Sequence, residues 1–171
     1  ALAQANTIVL DVGGGSTELL LIQKGQLTSA TSYRLGSLRM RETLETHHVD
    51  NRRLRAVLGQ QLAHLVDEIR RNLPALRIRY LVAMGADAQF AAAQLDPRWP
   101  HRRLARLDLE RFAELAERLI PLPVEKLVAR HGLPPLQAET IGPALLIYAS
   151  LARALRIPQV IVPQVSLRDG L

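Results

Sequence analysis

The fold is decided by DVGGGSTE, residues 11–18, which lies between the apolar runs Thr7–Leu10 and Leu19–Ile22. Consecutive glycines lose much backbone entropy on folding, so a folded chain keeps them where side chains would obstruct a close approach. A glycine-rich turn after a strand directs backbone N–H groups into one concavity, which suits phosphate oxygens. The stretch therefore predicts a strand, an anion-binding turn and a second strand.

The polar residues of this stretch predict ligands for phosphate and for a cation. We expect five residues to bind phosphoryl oxygens through N–H or hydroxyl groups: Gly13, Gly14, Gly15, Ser16 and Thr17. Asp11 and Glu18 flank the turn, and carboxylates beside bound phosphate require a hard cation such as Mg²⁺ between them. A hairpin turn without a ligand is the alternative, but a single glycine would serve that purpose.

Two common nucleotide-binding loops do not fit the stretch. A dinucleotide-binding fingerprint would need its third glycine at position 18, where Glu18 stands, and a helix directly after the turn. A Walker A loop would need a Gly-Lys-Ser/Thr sequence, which the turn lacks.

Composition predicts one folded domain over residues 1–171, with 48% hydrophobic and 22% charged residues. No apolar run approaches the roughly 20 residues of a membrane-spanning helix, so we expect no membrane partner. The chain has no cysteine, which fits a reducing cytoplasm and predicts a cytoplasmic location.

The net charge of +6 favours anionic partners such as polyphosphate, nucleotides, nucleic acid or acidic lipid. A solvated, arginine-rich surface without a specific partner is the alternative. Arginine pairs such as Arg70–Arg71 and Arg102–Arg103 are spread over different predicted elements without interleaved aromatic residues. We therefore expect no nucleic-acid partner.

The remaining chain predicts a mixed α/β fold. Three antiparallel strands open it, at Thr7–Val12, Leu19–Gln23 and Leu27–Arg34, with a Lys24–Gly25 turn in the hairpin. Leucines spaced by three and four residues predict a long helix from Asp50 to Pro74. Further elements are predicted as follows: a strand at Tyr80–Met84, a helix from Gly85 to Leu95, a loop at Pro97–Pro100, a helix capped by Asp108, helices at Val124–Arg130 and Gln137–Leu155, a strand at Val160–Val162 and a helix from Leu167.

DVGGGSTE followed by a hairpin resembles the second phosphate motif of the actin/Hsp70/sugar-kinase superfold. More narrowly it resembles the exopolyphosphatase/guanosine pentaphosphate phosphohydrolase (Ppx/GppA) family, whose members carry this motif nearly verbatim. Residues 33–40 (YRLGSLRM) are similar to the family's LPLGxVRL segment. Residues 141–147 (IGPALLI) and 166–171 (SLRDGL) resemble its GALIL and LREGLL segments.

The resemblance implies a ribonuclease-H-like, actin-like ATPase lobe that belongs to a two-lobed phosphatase. The implied reaction is hydrolysis of a terminal phosphoanhydride in inorganic polyphosphate or guanosine pentaphosphate, with Mg²⁺ held by Asp11 and Glu18. Glu18 is the implied catalytic carboxylate of this lobe and Arg39 an implied phosphate ligand. The N-terminal lobe and the main catalytic base are expected to be absent from residues 1–171. Apolar surface left by that lobe could support a homodimer.

Two segments depart from the family pattern. The family's SGTxxAL turn appears as GADAQFA at residues 85–91, so Ala86 and Asp87 replace a glycine and a threonine. The family's RADxI segment appears as QAETI at residues 137–141, so Gln137 replaces an arginine. Both changes weaken anion binding, which keeps open a non-catalytic module that binds phosphate, a nucleotide or a partner. A third possibility is a kinase-type member of the superfold, but the GGGSTE sequence of the motif argues against it.

Overall fold

A computed structural model describes residues 5–47, 78–99 and 103–165, together with residues 60, 62, 63, 65–67 and 71. Within these residues six strands form one mixed sheet. The strands are β1 (Thr7–Val12), β2 (Thr17–Gln23), β3 (Gln26–Tyr33), β4 (Tyr80–Met84), β5 (Leu104–Asp108) and β6 (Gln159–Pro163).

The strand order is β3-β2-β1-β4-β6-β5. Strands β1, β4 and β6 run parallel to one another, whereas β2, β3 and β5 are antiparallel to their neighbours. The predicted opening of three antiparallel strands and the predicted mixed α/β fold are confirmed. Because β1 and β4 are parallel neighbours, the turn after β1 and the turn after β4 lie at the same end of the sheet.

Five continuous helices pack on this sheet or on one another within the described residues. They are α1 (Ser37–His47), α2 (Ala86–Leu95), α3 (Leu109–Leu119), α4 (Val124–His131) and α5 (Pro135–Ala154). The isolated described residues between positions 60 and 71 are also helical. None of the described helices combines the length and apolar character that crossing a membrane requires.

The core lies on the face of the sheet formed by Ile8, Leu10 and Val12 of β1. Alternation along a strand places these side chains on one face, where α5 covers them. Tyr148 of α5 is fully buried, and its hydroxyl accepts from the Val12 N–H (2.9 Å) and donates to the Met84 carbonyl (2.6 Å). Burial raises the pKa of this phenol, so Tyr148 stays protonated and ties the ends of β1 and β4 together.

The β2–β3 hairpin turn is formed by Lys24 and Gly25, as predicted from the sequence. Lys24 (φ 49°) and Gly25 (φ 81°) both adopt positive φ. Positive φ at both central residues defines a type I′ turn, whose twist matches that of the flanking strands. The hairpin places β3 at the edge of the sheet, where Leu27 is exposed.

Two elements were not predicted. One is helix α1, which contributes the buried Met40 to the core. Strand β5 alternates exposed and buried positions over only five residues, beside a predicted loop. In addition, α5 begins at Pro135, two residues earlier than predicted, and Pro143 lies inside it as expected.

The predicted helix from Asp50 to Pro74 is described in part. Leu62 and Leu65 are helical and buried in the core, as the leucine stripe predicts, and the helical Val66 is buried beside them. The rest of that helix and the predicted helix from Leu167 lie outside the described residues.

Candidate phosphate-binding site

The turn at residues 13–16 is closed by its own first residue. The Gly13 N–H donates to the Ser16 carbonyl (2.8 Å), directly beyond the cross-strand pair Val12–Thr17. The Gly13 N–H was predicted to hold a phosphoryl oxygen, but the structure places it in this turn. We therefore assign Gly13 to the closure of the turn.

Helix α1 begins against the same turn. The Ser37 N–H donates to the Gly13 carbonyl (2.9 Å), and the Leu38 N–H donates to the Gly14 carbonyl (3.0 Å). The glycine carbonyls thus take the place of a side-chain cap for the first N–H groups of the helix. This main-chain capping explains why the sequence carries no local signal for the start of α1.

The same contacts orient the remaining N–H groups of the turn. In a trans peptide the N–H points opposite to the C=O of the same unit. Because the Gly13 and Gly14 carbonyls point at α1, the N–H groups of Gly14 and Gly15 point away from it. Within the described part of the chain neither N–H donates to a protein acceptor. Both are available to an external anion.

Glycine at positions 14 and 15 is not required by packing or by φ. A Cβ at Gly14 would meet the Leu38 Cβ at an ordinary 3.6 Å, and a Cβ at Gly15 would meet nothing within 4 Å. Neither residue has positive φ. Space that the protein does not fill, beside available N–H groups, is what a close-approaching ligand needs.

Gly36, by contrast, is required by packing. A Cβ at this position would lie 2.3 Å from the Gly14 carbonyl oxygen and 2.5 Å from the Gly15 carbonyl carbon. The backbone before α1 therefore lies directly on the turn. The sequence identified Gly36 only as part of the LPLGxVRL-like segment. The contact with the turn shows why glycine is needed at this position.

Asp11 and Glu18 are cross-strand partners in the β1–β2 ladder. Directly paired residues of antiparallel strands project from the same face, with Cβ atoms about 5 Å apart. Glu18 is further oriented by two hydroxyl groups, since its Oε1 accepts from Ser16 Oγ (2.9 Å) and from Ser32 Oγ (2.9 Å). Ser32 was not singled out in the sequence, and only the β2–β3 register places it beside Glu18.

Asp87 lies in the first turn of α2, close to Asp11. Burial raises the pKa of the Asp87 carboxyl to about 6. A hydrogen bond with the Gln137 side chain opposes this rise, and the negative charge of Asp11 adds to the rise. Asp87 and Gln137, one from each segment that departs from the family pattern, are thus partners. Gly85 has φ +92°, and a Cβ there would lie 3.1 Å from Asp11 Oδ1, so glycine lets the β4–α2 turn pass the carboxylate.

Thr17 and Arg39 lie in different surroundings. The Thr17 side chain is fully buried, and its hydroxyl donates to the Leu35 carbonyl (2.5 Å), because strand alternation turns residue 17 toward the core. Its hydroxyl therefore holds the segment before α1 and is left out of the phosphate ligands proposed below. Arg39 is exposed in the first turn of α1, beside the glycine turn.

The carboxylate pair fits a magnesium ion that shares its ligands with phosphate. No group of three or more His, Cys, Asp or Glu residues able to hold a metal occurs in the described ranges. Mg²⁺ is commonly bound through one or two carboxylates, with substrate phosphates and water completing its shell. The hard oxygens of Asp11 and Glu18 match that pattern.

The chain belongs to the Ppx/GppA phosphatase family, whose model matches residues 1–171. Its fold is shared with an exopolyphosphatase from Cytophaga hutchinsonii at a TM-score of 0.81 and 18% sequence identity. It is also shared with the type II variant of the Aquifex aeolicus Ppx/GppA phosphatase at a TM-score of 0.73 and 17% identity. No curated protein matches the chain.

These structural relatives are longer than the chain. The alignment with the Cytophaga hutchinsonii protein covers 98% of this chain and 55% of that protein. The alignment with the Aquifex aeolicus protein covers 98% of this chain and 56% of that protein. The chain therefore spans about half the length of either relative. At these identities the likeness shows the fold alone.

Proposed function

We propose that the chain supplies the phosphate-binding turn of a phosphatase that hydrolyses terminal phosphoanhydride bonds in inorganic polyphosphate or guanosine pentaphosphate. The observation that carries the proposal is the pair of available N–H groups at Gly14 and Gly15, with open space around both residues. Family membership supports phosphate ester or anhydride chemistry at this turn.

In this mechanism the N–H groups of Gly14 and Gly15 hold oxygens of the terminal phosphoryl group, and Ser16 and Arg39 flank it. Bound Mg²⁺ would neutralise charge on the phosphate chain, with Asp11 and Glu18 as its protein ligands. Ser16 and Ser32 hold the Glu18 carboxylate in one orientation through Oε1. Phosphoryl transfer depends mainly on such positioning and electrostatic stabilisation, with water attacking in line.

The base that activates water is assigned to a second lobe outside residues 1–171. The family match and the coverage of about half of either relative support a two-lobed enzyme with its site between the lobes. A cytoplasmic location, a homodimer and the lack of a nucleic-acid partner remain predictions from the sequence.

The test is phosphate release by the full-length protein from long-chain polyphosphate and from guanosine pentaphosphate, with Mg²⁺. Gly14→Val should abolish release from the true substrate while the protein stays folded, because the added side chain fills the space beside the N–H groups. Ala129→Val introduces the same valine side chain at an exposed position of α4 and should leave release unchanged. Full activity of a folded Gly14→Val protein would show that the turn is not the site.

A non-catalytic phosphate-binding module is the second candidate. The Asp87–Gln137 pair favours it, because a carboxylate replaces a hydroxyl near the turn. It predicts that the full-length protein binds inorganic tripolyphosphate, loses that binding in Gly14→Val and releases no phosphate from either substrate.

A further inference from the structure

A second cleft lies at the end of the sheet opposite the glycine turn. The turn follows the last residue of β1, whereas this cleft adjoins the last residues of the antiparallel strand β5 and the segment after α2. Its volume is about 430 Å³, and three arginines line it: Arg98, Arg106 and Arg111. We call it the arginine cleft. It is independent of the function proposed for the turn.

The two acidic residues of the arginine cleft are engaged in local hydrogen bonds. Asp108 caps α3, and its Oδ1 accepts from the N–H groups of Glu110 and Arg111, both at 3.1 Å. Oδ1 of Asp96 accepts from the Arg98 N–H at 3.0 Å and lies 3.5 Å from Arg98 Nε. These carboxylates stabilise the helix start and the loop around them.

Two of the three guanidinium groups have no carboxylate partner in the part of the chain that is described. Arg106 and Arg111 are both exposed and form no ion pair there. The Arg106 guanidinium carbon lies 5.7 Å from the centroid of the Tyr80 ring, a cation–π contact that orients the side chain without neutralising it. Arg98 contacts Asp96 through Nε and keeps a side chain that is 66% exposed.

The surroundings of the arginine cleft are basic as well. Arg79 precedes β4 and Lys24 follows β2, and both strand termini lie at this end of the sheet. Exposed guanidinium groups present planar donor pairs that match phosphate oxygens. The exposed arginines of the cleft therefore lie away from the three carboxylates Asp11, Glu18 and Asp87.

The lining of the arginine cleft also has an apolar part. Leu95 and Pro97 contribute to it at the end of α2. A volume of about 430 Å³ falls in the range of small-molecule sites, which are roughly 300–1,000 Å³. Apolar surface beside guanidinium groups suits an organic molecule that carries phosphate better than a bare phosphate chain.

We propose that the arginine cleft, formed by Arg98, Arg106 and Arg111 around Leu95 and Pro97, binds a nucleotide-sized organic phosphate. Arg106 and Arg111 are its principal anion ligands, because neither guanidinium pairs with a carboxylate within the described ranges. Arg98 adds its terminal nitrogen donors from the opposite loop.

The test is calorimetric titration of the full-length protein with ATP as the probe, in the wild-type and in the Gly14→Val background. Because Gly14→Val blocks the glycine turn, the second background measures ATP binding at the cleft separately from binding at the turn. The double variant Arg106→Ala/Arg111→Ala removes the two cations proposed to bind the phosphate of ATP. We expect ATP binding at the cleft to weaken at least about tenfold in both backgrounds. The matched control, Arg118→Ala/Arg130→Ala, removes two exposed arginines outside the cleft and should change binding less than about twofold.

Three results would overturn the proposal. One is no ATP binding in the Gly14→Val background. The second is equal weakening by the cleft and control variants, which would show diffuse attraction by net charge. The third is inorganic tripolyphosphate binding the cleft as tightly as ATP, because the organic part of the ligand would then contribute nothing.

Discussion

Asp87 and Gln137 are hydrogen-bonded partners that join the first turn of α2 to the first turn of α5 beside Asp11. Each of them belongs to one of the two segments in which the sequence departs from the family's motifs. In the structure the departures form one contact, in which an amide donor partly compensates a carboxylate introduced near the glycine turn. The pair therefore changes the electrostatics of the site as a unit.

The first prediction concerns stability and pH. The folded-state pKa of Asp87 is about 6, above the ordinary 3.8, so its ionisation opposes folding. The contribution of Asp87 to the free energy of unfolding should be full below about pH 4 and should be lost as the pH rises through 6, by up to roughly 3 kcal/mol. Asp87→Asn should remove most of this fall, as measured by urea unfolding at pH 4 and pH 7.

The control for this experiment is Glu114→Gln, which removes an exposed carboxylate of α3. It should change the unfolding free energy by less than about 0.5 kcal/mol. The burial argument fails if Asp87→Asn is equally stable to wild type at both pH values.

The second prediction concerns anion affinity at the turn. Asp87→Thr with Gln137→Arg removes a negative charge and adds a positive one near Asp11, which should strengthen binding of inorganic tripolyphosphate several-fold at low salt. Titration at pH 7.5 with Mg²⁺ measures this change. Unchanged or weaker binding would show that Asp87 does not face the anion path.

The third prediction concerns the orientation of Glu18. Ser32→Ala removes one of the two hydroxyl donors to Oε1, and loss of such a supporting contact should lower turnover or apparent Mg²⁺ affinity by roughly tenfold. Ser32→Thr, which keeps the hydroxyl, should restore both. Kinetics of the full-length protein over a range of Mg²⁺ concentrations provide the measurement.

Ser29→Ala is the matched control, because Ser29 is an exposed serine of the same strand. It should leave the kinetics unchanged. If both alanine variants behave alike, Ser32 has no role in holding Glu18.

The fourth prediction separates a glycine needed for packing from one needed for binding. Gly36→Ala places a methyl group 2.3 Å from the Gly14 carbonyl oxygen and should destabilise the protein by about 2 kcal/mol. Gly15→Ala meets nothing within 4 Å, so its stability should be close to wild type while tripolyphosphate binding weakens. Thermal unfolding and titration of both variants test this contrast. Similar effects of the two changes on stability would contradict it.

Much of the sheet could be predicted because its signals are local. The Lys24–Gly25 turn and the apolar strands on either side of DVGGGSTE define β1, β2 and β3 through turn chemistry and alternation. Helix α1 could not be predicted in this way, because its first N–H groups are capped by carbonyls of Gly13 and Gly14, more than 20 residues earlier. Strand β5 was missed because its short alternation is recognisable only beside β6.

The sequence by itself determined that a glycine turn between two strands lies next to Asp11 and Glu18, since residue types and spacing within 8 positions are sufficient for that. Only the tertiary structure decided which donors remain available. Packing of α1 on the turn directs the N–H groups of Gly14 and Gly15 outward, and burial turns the Thr17 hydroxyl to Leu35. The physical reason is that hydrogen bonds between distant segments, which no local pattern encodes, consume some polar groups of the motif and leave others for a ligand.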